Sequence, residues 1–198
     1  DQMGLGCMMK TGRLKTMTQE KKILAKEYRI YKPNSKGTGA ASKFQCRTKW
    51  KTIDKSDYAD LILFLESAQQ TGFDSNKNAS FGWSSTNDKN KGKSVTMKLG
   101  LPDIGEILLV LKGRKTFVGP EPKQGRKIEP GLYHQNNHGN TSLRLKWSEG
   151  KLYLNISSQD KNKNVTKISH SITTAEAAVL ESLLEHFIVE YHGWKNQI

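Results

Sequence analysis

The sequence has little cysteine, little negative charge and no long apolar run, and each shortage narrows the range of functions. Its two cysteines, Cys7 and Cys46, are too few for a metal site, and their spacing matches no zinc motif. We interpret them as reduced thiols and expect an intracellular protein, in the cytoplasm, the nucleoid or an organelle, that is not secreted. No apolar run exceeds the five residues of Leu61–Leu65, far fewer than the ~20 residues that cross a bilayer, so we expect no membrane partner.

The shortage of acidic residues leaves the chain strongly basic. Lys and Arg number 32 against 19 Asp and Glu, which gives the 198 residues a net charge of +13. A field of that sign attracts polyanions, and the lack of an apolar span favours nucleic acid over a membrane surface. The composition therefore predicts a nucleic-acid-binding protein.

Hydrophobic periodicity divides the chain into two parts. Residues 1–26 show no clean period, and we interpret them as an N-terminal extension that is flexible or derived from a tag. In residues 27–198, short runs of alternating polar and apolar residues precede a helical pattern, and this order occurs twice. The first helix is predicted at Pro102 and the second at a capping box, Thr173 and Glu176. We predict an α+β fold of two ββββα units, with antiparallel sheets packed against helices in one pseudo-symmetric domain.

Basic and acidic residues are distributed unevenly between these elements. The last predicted helix, residues 173–194, contains four Glu and neither Lys nor Arg, whereas residues 1–50 contain twelve Lys and Arg against three Asp and Glu. A polyanion should therefore meet the sheets and their loops and avoid the last helix.

Basic and aromatic residues alternate with apolar ones along the predicted strands, so that they share the exposed faces. Such faces suit a single-stranded nucleic acid, because its phosphates pair with cations and its bases stack on aromatic rings. No helix-turn-helix pattern or basic recognition helix is present in the sequence, so binding to double-stranded nucleic acid is not predicted. We predict the nucleic-acid-binding residues to be Tyr31, Lys32, Lys36, Lys43, Arg47, Lys49, Trp83, Lys98, Tyr133, Arg144, Lys146 and Tyr153.

Three patterns that resemble catalytic or metal sites are incomplete. Gly92-Lys93-Ser94 matches the end of a nucleotide-binding phosphate loop, but Asn87 stands where that motif needs Gly. His134 and His138 lie in a Gly/Asn-rich turn without a third metal ligand nearby. The acids that a two-metal nuclease would use lack paired spacing and are read as turn residues: Asp57, Asp60, Asp74 and Asp88. We therefore expect no enzyme activity, no metal and no cofactor.

An ordered series of short motifs runs along residues 28–194. Lys36–Ala41 reads Lys-Gly-Thr-Gly-Ala-Ala and is followed by Ser42. Further stretches follow in order: Ile104–Glu106, Gly131–His134, Thr174–Glu176 and Tyr191–Trp194. In this order they resemble the Whirly family of single-stranded DNA-binding proteins, and more distantly the mitochondrial guide-RNA-binding proteins of the same fold group. This stretch departs from the family's Lys-Gly-Lys-Ala-Ala-Leu motif, because it either needs a gap or has Gly39 in place of the second Lys, and it has Ser42 in place of the Leu.

The resemblance implies a single-stranded DNA-binding protein of low sequence preference that forms a homotetramer, with the helices inside and the sheets outside. The apolar stripe of the last helix agrees with such an assembly, because it is wide enough to serve both its own sheet and a partner. We predict the oligomer interface to contain Leu180, Leu184, Phe187 and Ile188.

Two alternative functions stay open. The residues do not separate DNA from RNA, because that choice depends on contacts to the 2′-hydroxyl group. An RNA-binding or annealing factor, or a subunit of an RNA-processing or ribosomal complex, is the first alternative. A metal-dependent nuclease is the second.

Overall fold

The computed structural model describes residues 26–53, 56–84, 94–121, 129–137 and 139–193. The predicted N-terminal extension lies outside these ranges except for Lys26. Within them the chain forms nine strands and two helices. The elements are β1 Lys26–Lys32, β2 Ala40–Ile53, β3 Ser56–Phe73, β4 Ala79–Phe81, β5 Ser94–Leu99, α1 Leu101–Leu111, β6 Leu132–Asn136, β7 Gly139–Ser148, β8 Lys151–Asp160, β9 Val165–Ile172 and α2 Thr174–Tyr191.

The predicted α+β fold, with two antiparallel sheets that are each followed by a helix, is confirmed. The apolar run Leu61–Leu65 lies in β3, which is 18 residues long. The short strand β4 gives the first unit five strands instead of the predicted four.

β2 and β3 form the centre of the first sheet as a long hairpin. β1 pairs with β2 along residues 40–46, and β5 pairs with β3 along residues 63–68. β4 pairs with β3 further along the same edge as β5, at residues 70–73. The second sheet is a simple antiparallel meander in the order β6-β7-β8-β9.

The two sheets share one turn sequence that follows the third strand of each unit. The same sequence, Asp-x-Asn-Lys-Asn, occurs at Asp74–Asn78 and at Asp160–Asn164. In each turn the Asp carboxylate accepts a hydrogen bond from the backbone N–H of the final Asn at 2.8 Å. The fourth residues, Lys77 and Lys163, both adopt positive φ, at 62° and 65°. These hydrogen bonds from Asn78 and Asn164 hold the pKa of each Asp below its usual range. The turn is therefore a sequence repeat that supports the predicted pseudo-symmetry.

Both sheets turn one face towards a single core that also contains α1 and α2. Alternate residues supply this core, such as Phe44 and Leu65 from the first sheet and Leu154 from the second. The Trp147 indole N–H donates to the Val110 carbonyl near the end of α1 at 2.7 Å, which fixes that helix to the second sheet. Alternation thus leaves one face of each sheet directed away from the core.

A buried polar cluster lies where the two sheets meet. Ser42 Oγ is 2.5 Å from Ser67 Oγ and 2.6 Å from His170 Nε2. All three side chains are buried, and His170 Nδ1 is 3.1 Å from the Ser171 carbonyl oxygen. Burial lowers the pKa of His170, so the neutral imidazole is the form that this junction favours.

Helix α2 directs most of its predicted interface residues into the chain's own core. Leu180, Leu184 and Phe187 are buried there, and Ile188 packs partly against it. The stripe therefore covers the chain's own sheets, and its contact with a partner stays a prediction. The exposed apolar side chains of α2 are Val179, Leu183, Val189 and Tyr191.

No helix within the described ranges combines the length and the apolar character that a membrane-spanning segment requires.

Candidate nucleic-acid interface

The predicted contact residues divide between the two sheet faces that point away from the core. Strand pairing places six of them on the first outer face, which is the side of the first sheet opposite α2: Tyr31, Lys43, Arg47, Lys49, Trp83 and Lys98. It places four on the second outer face, the corresponding side of the second sheet: Tyr133, Arg144, Lys146 and Tyr153. The chain therefore presents two separate candidate surfaces.

Three aromatic rings lie together on the first outer face, and we call Tyr31, Phe81 and Trp83 the aromatic shelf. The Phe81 ring centroid is 5.5 Å from that of Tyr31 and 6.2 Å from that of Trp83. Ala41 and Ala68 are fully buried beneath them. Because these two positions carry only methyl groups, the rings can lie across β2 and β3 instead of standing upright.

Lys43 lies under this shelf and not on its surface. Its side chain is buried, its Nζ is 2.9 Å from Glu66 Oε2, and the same Nζ is 4.8 Å from the centre of the Trp83 ring. The Ser84 N–H donates to the other Glu66 oxygen at 2.7 Å. Burial acts to raise the pKa of Glu66, but Ser84 and Lys43 together hold it below its usual range. The Lys43 ammonium is therefore paired with a carboxylate, whereas the sequence predicted that it contacts phosphate.

Two arginines of the first outer face are held beside aromatic rings. Arg29 donates to the Tyr31 hydroxyl at 2.9 Å, pairs with Glu27, and has its guanidinium 6.0 Å from the Trp83 ring centre. Arg47 lies 5.1 Å from the Phe64 ring centre and donates to Gln45, and it is exposed. Planar guanidinium groups in this position add a cationic edge to ring surfaces.

The remaining predicted lysines of this face are exposed towards its far end. Lys49 lies on the part of β2 that extends past β1, and Asp60 is its direct partner on β3. Lys98 lies on β5 opposite Phe64. The first outer face thus combines cations with the carboxylates of Glu27, Asp60 and Glu66.

The second outer face has no acidic residue at the outward positions of its four strands, all of which the structure describes. Lys146 lies directly opposite Tyr153, and Arg144 lies opposite Asn155. Tyr133 is 62% exposed and Tyr153 is 42% exposed. Beside these rings the strands carry short polar side chains, so the rings project from a flat surface: Ser142, Ser157, Ser169 and Ser171.

Two cations of this face are exposed lysines with no acidic neighbour at the outward positions of the described sheet. Lys146 and Lys167 are exposed, and within the described residues neither has an ion-pair partner. Arg144 pairs with Glu129 at 2.7 Å, but that carboxylate is 72% exposed and precedes β6. The arrangement allows phosphates to contact lysines while bases contact the tyrosine rings.

Two predicted contact residues lie away from both outer faces. Lys32 follows Tyr31 by one position, so it faces the helix side of the sheet, where its Nζ is 2.6 Å from Glu176 Oε2 of α2. This ion pair removes Lys32 from the candidate interface. Lys36 is exposed in the loop between β1 and β2, at the end of the first sheet.

Sequence reasoning missed three residues that matter for these faces. Arg29 and Lys167 each follow the same alternation that identified their neighbours, so the signal was present in the strands that contain them. Glu66 gave no such signal, because its role depends on Lys43 on the adjacent strand.

The predicted histidine turn contains a contact but no metal cluster in the part of the chain that is described. His134 Nε2 is 3.0 Å from Asp103 Oδ2, in the first turn of α1. The described ranges contain no group of three or more His, Cys, Asp or Glu that could hold an ion. His138 lies outside these ranges.

No family model matches the sequence, and no curated protein matches it. Solved structures do match. The crystal structure of WHY1 from Arabidopsis thaliana aligns with a TM-score of 0.60 and 20% identity, over 87% of this chain and 88% of the other. The chain has the Whirly fold. A structure of a guide-RNA-binding protein complex bound to a guide RNA aligns with a TM-score of 0.54 and 14% identity, over 87% of this chain and 96% of the other.

These alignments confirm at the level of the fold the resemblance found in the sequence motifs. They extend across both units of the Whirly fold, since each covers most of both chains.

Proposed function

We propose that this protein binds single-stranded nucleic acid along its outer sheet faces, with single-stranded DNA as the ligand and little sequence preference. The second outer face carries this proposal, because it combines exposed tyrosines and lysines with an absence of acid at its outward positions. Phosphate contacts and base stacking are the two interactions that single strands use without reading sequence.

The distribution of charge supports binding on the sheets and not on α2. Glu185 and Glu190 lie on α2, which has no basic residue in its last turn. A wide, flat sheet face with projecting rings fits splayed bases, whereas a duplex presents its bases as stacked edges inside grooves. We infer that binding is the whole activity and that no chemical step follows it.

RNA is the second candidate ligand, because one matching structure is a protein complex bound to a guide RNA. The outer faces recognise phosphates and ring surfaces that DNA and RNA share. A 2′-hydroxyl contact would be needed to prefer RNA.

We also propose that the protein assembles as a homo-oligomer, with a tetramer as the expected state. A groove of about 620 Å³ lies between α2 and the β2–β3 hairpin, with Leu61, Leu183 and His186 among its lining residues. It adjoins the exposed apolar side chains of α2. Light scattering on the unmodified protein tests this proposal, and a monomer at micromolar concentration would overturn it.

A binding comparison tests the function. Fluorescence anisotropy with labelled single-stranded DNA, single-stranded RNA and duplex DNA of equal length should give the tightest binding to single-stranded DNA. The affinity should fall steeply with salt, because each phosphate contact releases counterions. Equal or tighter binding to the duplex would overturn the proposal, and tighter binding to RNA would replace DNA by RNA as the ligand. Cleavage of the labelled strand in Mg²⁺ would reveal a nuclease instead.

A further inference from the structure

The aromatic shelf exists because the chain leaves the first sheet between two strands. In the second sheet, β9 pairs with β8 without interruption from Val165 to Ile172. In the first sheet, two separate strands pair with the corresponding edge of β3. Phe81 of β4 pairs with Gln70, and Ser94 of β5 pairs with Ala68. β4 and β5 together thus occupy the position that β9 has in the second sheet. Trp83 and Ser84 follow β4 and depart from the sheet.

This departure places Trp83 against the first outer face, where a buried ion pair holds it. The Ser84 N–H donates to Glu66, Glu66 pairs with Lys43, and Lys43 lies 4.8 Å from the Trp83 ring centre. Phe81 is 9% exposed and forms the floor between the two outer rings. The described part of the second sheet has no such group, since Tyr133 and Tyr153 lie on different strands without a ring contact between them.

We propose that the aromatic shelf is a stacking site for an unpaired nucleobase, and that Lys43 and Glu66 position Trp83 instead of contacting phosphate. This inference rests on the proposed function, since it assigns one part of the bound strand to one part of the surface. The second outer face is then the phosphate-dominated surface, and the shelf is the base-dominated one.

The chemistry of the shelf favours a nucleobase over an apolar protein segment. Tyr31 is 43% exposed and Trp83 is half-buried, so ring surface is available beside the Phe81 floor. Arg29, which also pairs with Glu27, donates to the Tyr31 hydroxyl and places its planar guanidinium 6.0 Å from the Trp83 ring centre, at the edge of the site. Arg47 adds a second exposed cation on the same face. A flat, electron-rich ring with an attached phosphate complements this combination of rings and guanidinium groups.

The first experiment separates base contacts from phosphate contacts. The probes are a single-stranded oligothymidylate and an abasic deoxyribose-phosphate strand of equal length. The variants are Trp83→Leu and Tyr31→Leu, with Tyr191→Leu as a matched control because Tyr191 is 46% exposed on α2. Since Tyr191 lies beside the proposed oligomer groove, light scattering checks that all three variants keep the oligomeric state of the unmodified protein. Each shelf variant should lose about tenfold in affinity for oligothymidylate, the order of one stacking contact, and bind the abasic strand as the unmodified protein does.

The outcomes distinguish the two proposals. If the unmodified protein binds neither strand, the proposed function itself fails. If it binds oligothymidylate and the shelf variants bind equally well, or lose both strands equally, the shelf is not a base site. Tyr31→Leu changes an exposed residue, so it keeps the test decisive if Trp83→Leu does not fold.

The second experiment tests whether Lys43 and Glu66 act by positioning. The double variant Lys43→Met with Glu66→Gln removes both buried charges and keeps an acceptor for the Ser84 N–H. It should weaken oligothymidylate binding while the slope of log affinity against log salt stays unchanged. A slope reduced by roughly 0.7, the contribution of one phosphate on a single strand, would show that Lys43 contacts phosphate and would overturn this part of the proposal. Unchanged affinity would overturn it as well.

Discussion

On the first outer face Lys43 is buried beside the Trp83 ring and against a carboxylate, whereas on the second outer face Lys146 reaches solvent beside a tyrosine. Lys43 and Lys146 both stand at outward positions of a central strand, yet Lys43 is 5% exposed and pairs with Glu66. Lys146 is exposed opposite Tyr153. The same alternation of polar and apolar residues has therefore produced a structural lysine in one sheet and an accessible lysine in the other.

The difference arises from the neighbouring strand. Glu66 on β3 and the Trp83 segment cover Lys43, while Asn155 and Ser171 are the small polar residues that flank Tyr153 and Lys146 on the second sheet. A buried ion pair requires both partners, because each charge loses its hydration and depends on the other. An exposed lysine keeps its hydration until a phosphate replaces the water.

The largest effect that this comparison predicts is on stability. Glu66→Ala should lower the free energy of unfolding by about 3–5 kcal/mol, because it leaves the Lys43 ammonium buried without a partner. Glu129→Ala breaks the exposed pair with Arg144 and should cost less than about 1 kcal/mol. Urea unfolding of both variants measures the difference.

A double variant checks the cause of that loss. Lys43→Met with Glu66→Leu removes both charges and should restore most of the stability that Glu66→Ala loses. Equal costs for Glu66→Ala and Glu129→Ala would mean that the first outer face does not depend on its buried pair.

The second prediction concerns binding on the other face. Lys146→Glu should reduce affinity for a single strand about tenfold, as expected when one charged hydrogen bond is lost, and leave the melting temperature nearly unchanged. Lys112→Glu is the matched control, since it changes the net charge equally at the end of α1, where Lys112 pairs with Glu185. Equal losses in the two variants would indicate a general charge effect and no local contact at Lys146.

The order of strands and helices was predictable because periodicity and capping act over a few residues. Thr173 and Glu176 form both hydrogen bonds of the predicted capping box, and the helix at Pro102 lies where the apolar spacing placed it. The extra strand β4 was missed because three residues are too few to show a period. The Asp-x-Asn-Lys-Asn repeat at Asp74 and Asp160 is present in the sequence itself, so this part of the pseudo-symmetry was predictable.

The composition of the outer faces was less predictable, since it depends on contacts between distant residues. Alternation identified Tyr133, Lys146 and Tyr153 as outward residues without any knowledge of their neighbours. It could not show that Lys32 pairs with Glu176, which lies 144 residues away. The sequence pattern indicates which side of a strand a residue occupies, but partners decide whether its charge is available.

The buried polar cluster where the two sheets meet predicts a smaller, pH-dependent change in the free energy of unfolding. Burial lowers the pKa of His170, with a further lowering by Lys32, while the Ser171 carbonyl and Glu176 act in the opposite direction. With the Nδ1 proton directed at Ser171, Nε2 accepts from the Ser42 hydroxyl. Protonation of Nε2 would reverse that hydrogen bond in a site that excludes water.

The sign follows from the lowered pKa. Because the unfolded chain binds the proton more readily than the folded one, stability is fully present above the ordinary His pKa of 6.5 and is lost as the pH falls below it towards the lowered value. The carboxyls of Glu66 and Glu176, whose pKa values are also lowered, contribute losses only at more acidic pH. Urea unfolding at pH 7.5 and pH 5.0 should therefore show a larger decrease for the unmodified protein than for His170→Gln, which keeps a polar group facing Ser42. Equal decreases would mean that protonation of His170 does not contribute to the stability of the junction between the sheets.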